Sequence, residues 1–512
     1  MSAEWTAGYV ADIGYTYGYY PELNPLRLQL AFLHAGLAMP QSGAACELGF
    51  GQGVSVNLHA AAGVTRWSGT DFNPAQAGFA QELAAASGAQ AQLFDESFAE
   101  FGARADLPQF DYIGLHGIWS WISDENRAIV VDFIRRKLKV GGVLYISYNT
   151  QPGWSSFAPI RHLMTQHAEL MGAPAEGIVN RIDGALAFTD QLLATNPLYS
   201  RVNPQAISRF EKIKEQNRQY LAHEYFNRDW HPMHFATMAK WLEPAKLSFA
   251  CSAHLHDHIE ILNLTEQQRA FVDGLADPGL RQTTRDFMVN QQFRRDYWVK
   301  GARRLTPLEQ AEGLRKLRVV LITHRGAVLN KVNGSLGEAV LTASVYDPIL
   351  DFMADYQIHT VGDIERMAAA KEINFAVVIQ AVMVLAGAGY LAVAQDDAAI
   401  AKAREVTDRL NAHLIHKARG AAEVNHLASP VIGGGVQVGR FQQLFILARQ
   451  QGHKAPNDLA AFVWAILSGQ GQRISKGGAV LQTPEENLTE LRADAEQFNT
   501  KMMPVLKALL LA

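Results

Sequence analysis

Glu47, Gly49, Gly51 and Gly53 stand at alternate positions in the stretch ELGFGQGVSVNLHAAAG, directly after a short apolar run. A strand that feeds such a turn and then a helix presents backbone N–H groups and the positive end of a helix dipole. Together these hold the polar part of a nucleotide cofactor. A dinucleotide site requires G-x-G-x-x-G, with its third glycine three positions after the second. Val54 occupies that third position here. An acid two residues before the first glycine suits a cofactor with an ammonium group better than one with a pyrophosphate. S-adenosylmethionine (SAM), with an amino-acid end and no phosphate, meets that description.

Downstream residues fall where the same cofactor needs them. Asp71 and Asn73, in GTDFNP, lie about twenty residues beyond the turn, where a carboxylate reaches both ribose hydroxyls. Asp95 and Glu96, in LFDES, are placed to accept from an adenine amino group. His116 ends the fourth β-like run; it is placed to touch the cofactor and either to take a proton or to cap the strand. Methyl transfer from a sulfonium is an in-line displacement, so positioning matters more than a strong base. A lysine acceptor must still lose a proton from a pKa of about 10.4. A desolvating aromatic pocket and a nearby sulfonium lower that value, and rings also attract a methylated ammonium. Tyr15, Tyr17, Tyr19, Tyr20, Trp119, Trp121, Tyr148 and Trp154 are the local supply, as pocket walls or as packing. With His116, the candidate catalytic residues are Tyr17, Trp119 and Asn149. Asn149, in YNTQPGW, orients an amine by its carbonyl oxygen or belongs to a structural turn.

These residues need a scaffold of alternating elements. AACELGF, RWSGTDF, AQAQLFD, FDYIGLHG and GGVLYISYN read as strands, and FNPAQAGFAQELAAASG and ENRAIVVDFIRRKLKVGG as helices between them. That alternation predicts a parallel sheet with helices on both faces. The expected fold is α/β: a Tyr-rich arm over 1–25, then a Rossmann-like class I methyltransferase domain over 26–164. A helical middle or regulatory domain over 165–301, a winged-helix-like domain over 302–400 and a helical C-terminal domain over 401–512 follow. HPMHFATMAKWLEPAKLSFACSAH passes from helix to strand, and SPVIGGGVQVG reads as a loop whose glycines allow close approach or mobility. Phe375 to Ala394 is about long enough to span a bilayer. Gln380, Gly387, Gly389 and its acidic flanks make it a buried core element instead, so no membrane span is expected.

ELGFGQG, GTDFNP, LHGIWSWIS and YISYNTQPGW resemble the bacterial methyltransferases that carry a methyltransferase regulatory domain, and LAHEYFNRDWHPMHFATMAKWL resembles the start of that domain. Within this group the rickettsial outer-membrane-protein lysine methyltransferases share the order of domains. The resemblance implies SAM-dependent methylation and, less directly, a protein-lysine acceptor.

Other classes are disfavoured. A net charge of −4 over 512 residues argues against a generally basic nucleic-acid binder. Val340 to Ile400 carries eight acids against Arg366 and Lys371, the wrong sign for a phosphate backbone, so the winged-helix-like region reads as a protein-interaction or scaffold element. The basic stretch Phe293 to Arg318 reads as a solvated linker face. Two cysteines, Cys46 and Cys251, suit a reducing cytoplasm. HEYFN lacks the second histidine of a zinc protease, because Asn227 stands there; Glu224 then belongs to a domain contact or to the acceptor channel. His254, His256 and His258 share a face if CSAHLHDHIE is a strand, yet no metal is expected. The favoured function is cytoplasmic SAM-dependent methylation of a protein or peptide lysine. A small-molecule acceptor methylated at O, N or C is the alternative, and a non-catalytic SAM-binding regulator the third reading.

Overall fold

The computed structural model describes residues 16–40, 43–172 and 177–512. Its centre is a seven-stranded sheet of β1 (Ala44–Leu48), β2 (Arg66–Thr70), β3 (Ala91–Phe94), β4 (Phe110–Leu115), β5 (Leu138–Asn149), β6 (Leu247–Ser252) and β7 (Phe293–Lys300), in spatial order β3-β2-β1-β4-β5-β7-β6. β1 to β5 are parallel, and β7 enters antiparallel between β5 and β6. The five β-like runs of the sequence become β1 to β5. Parallel strands covered on both faces read as continuous apolar runs, and β1 and β4 bury every residue. Strand order reverses between β1 and β4, so a crevice opens beyond their carboxyl ends, where ligands bind in open α/β sheets.

Five helices accompany the first strands: α1 (Leu28–His34), α2 (Val54–Ala62), α3 (Pro74–Ser87), α4 (Phe98–Ala103) and α5 (Asp124–Lys137). α2 buries all nine residues, because Val54, Leu58, Ala61 and Ala62 share a core with Leu410, Leu414 and Phe445 of the C-terminal region. Its buried Asn57 amide donates to the Gly53 and Ala80 carbonyls at 2.9 and 3.0 Å. α3 opens at Asn73, whose Oδ1 accepts from the Ala75 N–H at 3.0 Å, with Pro74 at its first position.

The expected boundary between residues 164 and 165 does not divide the sheet from the helices. After β5 the chain leaves the sheet for α6 (Ala158–Leu170), α7 (Gly177–Ala194), α8 (Leu198–Val202), α9 (Pro204–Lys214) and α10 (Arg218–Tyr225). These helices have a core of their own, with Phe157, Met164, Ile182, Phe210 and Leu221 at its centre. The chain then returns through α11 (Phe235–Leu242) to add β6 and β7. The helical region is therefore an insertion into the sheet domain.

β7 also corrects the reading of Phe293 to Arg318 as a solvated face. Arg294 and Asp296 lie two apart, hence on one face of the strand, and both are buried. The Arg294 guanidinium donates to Asp296 Oδ2 at 2.9 Å, Asp286 Oδ1 at 2.6 Å and Gln282 Oε1 at 2.9 Å, and packs over the Phe235 ring. The Tyr148 hydroxyl donates to Asp296 Oδ2 at 2.9 Å. Charge was visible in the sequence, but the acids that neutralise it were not.

Beyond the sheet, helices Ala343–Phe352, Val361–Ala369 and Phe375–Gly387 accompany a small antiparallel sheet in which Arg318–Leu321 lies between His359–Thr360 and Leu391–Val393. The apolar segment 375–394 is thus a helix and a strand, and among the described residues no helix is long and apolar enough to cross a membrane. SPVIGGGVQVG is a hairpin, not a loop: His426–Ser429 pairs with Gly434–Gln437. Its glycines do serve close approach, since a Cβ on Gly434 would come within 2.6 Å of the Tyr19 hydroxyl.

Candidate functional site

The glycine turn joins β1 to α2. Gly49, Gly51 and Gly53 have φ of 69°, 58° and 67°, a region that side chains resist. A Cβ on Gly53 would sit 2.4 Å from Ala80 Cβ, so this glycine also sets the close packing of the turn on α3. The Gly49 N–H donates to the Thr70 carbonyl at 2.8 Å, and the Gly51 N–H to Asp71 Oδ2 at 2.8 Å, which ties the turn to the end of β2.

Glu47 and Asp71 lie together beneath this turn. Burial, then the neighbouring Asp71 charge, pushes the Glu47 carboxyl up to about 8. Glu47 Oε2 is buried with no hydrogen-bond partner. Burial raises Asp71 to about 6 against the pull of the Asn73 and Gly51 N–H groups. Two buried carboxyls side by side, one with an unpartnered oxygen, fit a cationic group, which would restore their charge.

The remaining cofactor candidates divide. Asp95 is exposed after β3 and makes no hydrogen bond among the described residues, so its carboxylate is open to a ligand. Glu96 is engaged instead: its Oε1 pairs with Arg104 at 2.7 Å, and its carbonyl accepts from the Thr70 hydroxyl. Asn73 is the cap of α3, and its Oδ1 is spent on the Ala75 N–H.

His116, after β4, is enclosed by aromatic rings. Tyr20 stacks on it at 3.7 Å between ring centres, and its Nδ1 lies 2.8 Å from the Tyr145 hydroxyl. Burial lowers its pKa to about 4; Glu22 opposes the shift and Arg295 adds to it. A neutral imidazole of that basicity orients a partner but cannot hold an ammonium proton. Asn149 is buried at the end of β5, its backbone N–H donating to Ser120 Oγ at 2.8 Å. Its side-chain amide makes no hydrogen bond among the described residues.

Two candidate catalytic residues are placed elsewhere. Trp119 is fully buried; its indole N–H points at Met233 Sδ, and its ring meets Trp241 edge-on. Tyr17 packs on Phe79 of α3, away from the β4 end. Tyr148 belongs to the Arg294 network, and Tyr19 lies between His59 and His426. Trp121 and Trp154 both pack on Trp230. Tyr9 and Tyr15 lie outside the described residues. Of the arm's described tyrosines, Tyr20 reaches His116.

Sequence reasoning missed a second set around His116. Glu22 pairs with Arg295 of β7 at 2.5 Å, and its carbonyl accepts from the Tyr297 hydroxyl at 2.9 Å. Burial opposes ionisation of Glu22, yet Arg295 and Arg27 hold it down to about 2. These residues are 273 positions apart, and nothing local announces the pair. The three histidines do not share a strand face: β6 ends at Ser252, and His258 is bonded to the Ser252 carbonyl and to His34. Among the described residues no cluster could hold a metal.

The sheet order, the glycine turn and the acids after β2 and β3 define a class I methyltransferase fold. Residues 217–300 match the family described as a predicted methyltransferase regulatory domain. The Synechocystis protein sll1526 is 40% identical over 510 residues, covering 99% of each chain. The structure of PKMT2 from Rickettsia typhi in complex with AdoHcy superposes with a TM-score of 0.67 at 16% identity, over 95% of this chain and 98% of that one. The Rickettsia prowazekii protein RP789 is 28% identical over 129 residues, 23% of each chain. The chain belongs to one family with sll1526, has a class I methyltransferase fold, and carries the methyltransferase regulatory domain over residues 217–300.

Proposed function

We propose that this protein transfers the methyl group of SAM to the side-chain amine of protein lysine. The observation that carries the cofactor assignment is Glu47 Oε2, buried without a partner beside the glycine turn. An amino-acid ammonium is the group that would satisfy it. The N-terminal end of α2 would face the carboxylate end, Asp71 the ribose hydroxyls and Asp95 the adenine amine. When bound, SAM supplies an electrophilic methyl group on a sulfonium.

Around that methyl the protein's own groups wall off water. Tyr20 and His116 form a stacked pair at the β4 end, held by Tyr145 and by the Glu22–Arg295 ion pair. Rings in that position favour a lysine stem and a methylated ammonium. The lysine reading is supported by the resemblance to the rickettsial lysine methyltransferases and by fold likeness to PKMT2 across nearly the whole chain. The segment Val340 to Ile400, acidic within the winged-helix-like region, suits a protein partner rather than a nucleic acid. Two buried, unpaired cysteines suit work in the cytoplasm.

Labelled SAM incubated with the protein and a bacterial lysate, split into protein and small-molecule fractions, tests this reading. Label in protein, recovered as methyl-lysine after hydrolysis, is the expected result. Label confined to small molecules would point to a metabolite acceptor instead.

A further inference from the structure

Beside the segment that carries Tyr20 lies a cavity of about 260 Å³. Three parts of the chain build most of its wall: the run from Tyr19 to Leu30, the strand Leu391–Val393 with Ile322 next to it, and the hairpin at His426 and Val436. At about 30 Å³ per water, that is room for roughly eight waters or one small organic molecule. Two polar groups on the wall are already engaged. The Tyr19 hydroxyl lies 3.2 Å from His59 Nε2, and the Asn24 amide donates to the Ile432 carbonyl at 3.1 Å and accepts from the Leu26 N–H at 2.9 Å. Arg27 is not so engaged. Its Nη1 reaches the Ala386 carbonyl at 3.4 Å, its Nε is buried with no partner, and it makes no ion pair among the described residues. The acid that feels its charge, Glu22, is bonded to Arg295 at 2.5 Å, so two guanidinium groups draw on one carboxylate. His426 makes no side-chain hydrogen bond among the described residues; burial lowers it to about 4, which leaves a neutral ring with an N–H to donate. A surplus cation and an idle donor on one largely apolar wall call for an anion with an apolar body.

We propose that this cavity binds a small organic carboxylate, its charged end on Arg27 and His426 and its apolar body against Ile322, Leu391 and Val436. The planar guanidinium suits a carboxylate through charge-assisted hydrogen bonds. A phosphate or sulfate ion, with no apolar part, leaves most of the wall uncovered. The cavity is separate from the cofactor turn, since none of Glu47, the three glycines or Asp71 lines it. It is nevertheless joined to the methyl-transfer side through the backbone. The Tyr20 N–H donates to Ser55 Oγ of α2 at 2.9 Å, and the Tyr20 ring lies on His116. An occupant braced between Tyr19 and Asn24 on one side and the hairpin on the other holds that segment, and with it Tyr20, in place.

Hexanoate is the probe, with 1-hexanol, hexylamine and inorganic phosphate as controls that lack the charge, reverse it or lack the chain. Ligand-observed NMR on the full-length protein should show hexanoate bound on the order of tenfold more tightly than hexanol, with neither hexylamine nor phosphate displacing it. Arg27→Gln should bring hexanoate down to the level of hexanol, and Arg27→Lys should keep part of the difference. Ala392→Phe, which fills the cavity from its strand, should lose both ligands. Saturating AdoHcy should leave hexanoate in place. In the wild type, hexanoate should also slow chymotrypsin cleavage after Tyr19 severalfold. Equal binding of hexanoate and hexanol by the wild type, displacement by AdoHcy, or unchanged binding in a folded Arg27→Gln or Ala392→Phe would overturn the site. Unaltered cleavage would overturn the bracing of the Tyr20 segment. None of these readouts depends on the methyl acceptor, so they stand or fall apart from the lysine reading.

Discussion

The cofactor side and the acceptor side of this cleft are built in opposite ways. On the cofactor side, Glu47, the three glycines, Asp71 and Asp95 all come from a single run of fewer than fifty residues, each at the end of the next strand in turn. On the proposed acceptor side, Tyr20 comes from the N-terminal segment, His116 from the end of β4 and Arg295 from β7. A cofactor common to many enzymes is held by a local pattern that any member can repeat. The proposed acceptor wall is made of residues that only the finished tertiary structure assembles. Residues 217–300, matched as a regulatory domain, illustrate this, because they supply two strands of the central sheet, one of which carries Arg295.

The largest effect should come from the non-local half. Arg294→Leu leaves Asp286 and Asp296 buried without their cation, and a broken buried pair costs about 3–5 kcal/mol. Denaturant unfolding of the ligand-free protein should show that loss. A change under about 1 kcal/mol would mean that the β7 edge is not held by this network, and the contrast between halves would weaken.

Asp71→Ala comes next and strikes the local half. It should weaken SAM binding by about a hundredfold, about 2.7 kcal/mol, measured by calorimetry. Unchanged affinity would break the cofactor assignment. The smallest effect, taken per pH unit, concerns Glu47 and sharpens the same half. Its carboxyl is held near 8 in the fold, far above the unfolded value, so the folded state binds the proton more tightly. Ligand-free stability should therefore be greatest below pH of about 4.5 as far as this group is concerned, and fall as pH rises through 8, by at most about 1.4 kcal/mol per unit. A bound ammonium favours the ionised form, so SAM affinity should rise between pH of about 6 and 7.5, by up to about tenfold per unit. Glu47→Gln should flatten that slope.

What could be read in advance follows the same division. Each of β1 to β5 carries its own apolar run and a turn after it, so their order was legible, as was the place of Asp71 and Asp95. β7 was not, because FRRDYWVK shows its charges without showing Asp286 or the Glu22 carboxylate that balance them. Trp119 and Tyr148 looked like pocket rings because composition says where aromatics are, while burial decides which face they take. Asn73 stood where a cofactor contact belongs, but the start of α3 needs a cap at that position. Helices α6 to α10 were recognised as helical, yet their status as an insertion depends on where β6 and β7 go, which no local pattern states.

The hairpin at Gly434 has a consequence for synthesis. Asn24 donates to the Ile432 carbonyl at 3.1 Å, and Tyr19 sits against Gly434 and Gly435. The segment that delivers Tyr20 is thus fastened by residues made some four hundred positions later. On a ribosome adding about 5–20 residues per second, the glycine turn and its acids exist long before that clasp. The stacked Tyr20–His116 wall is therefore fastened only once translation is nearly done.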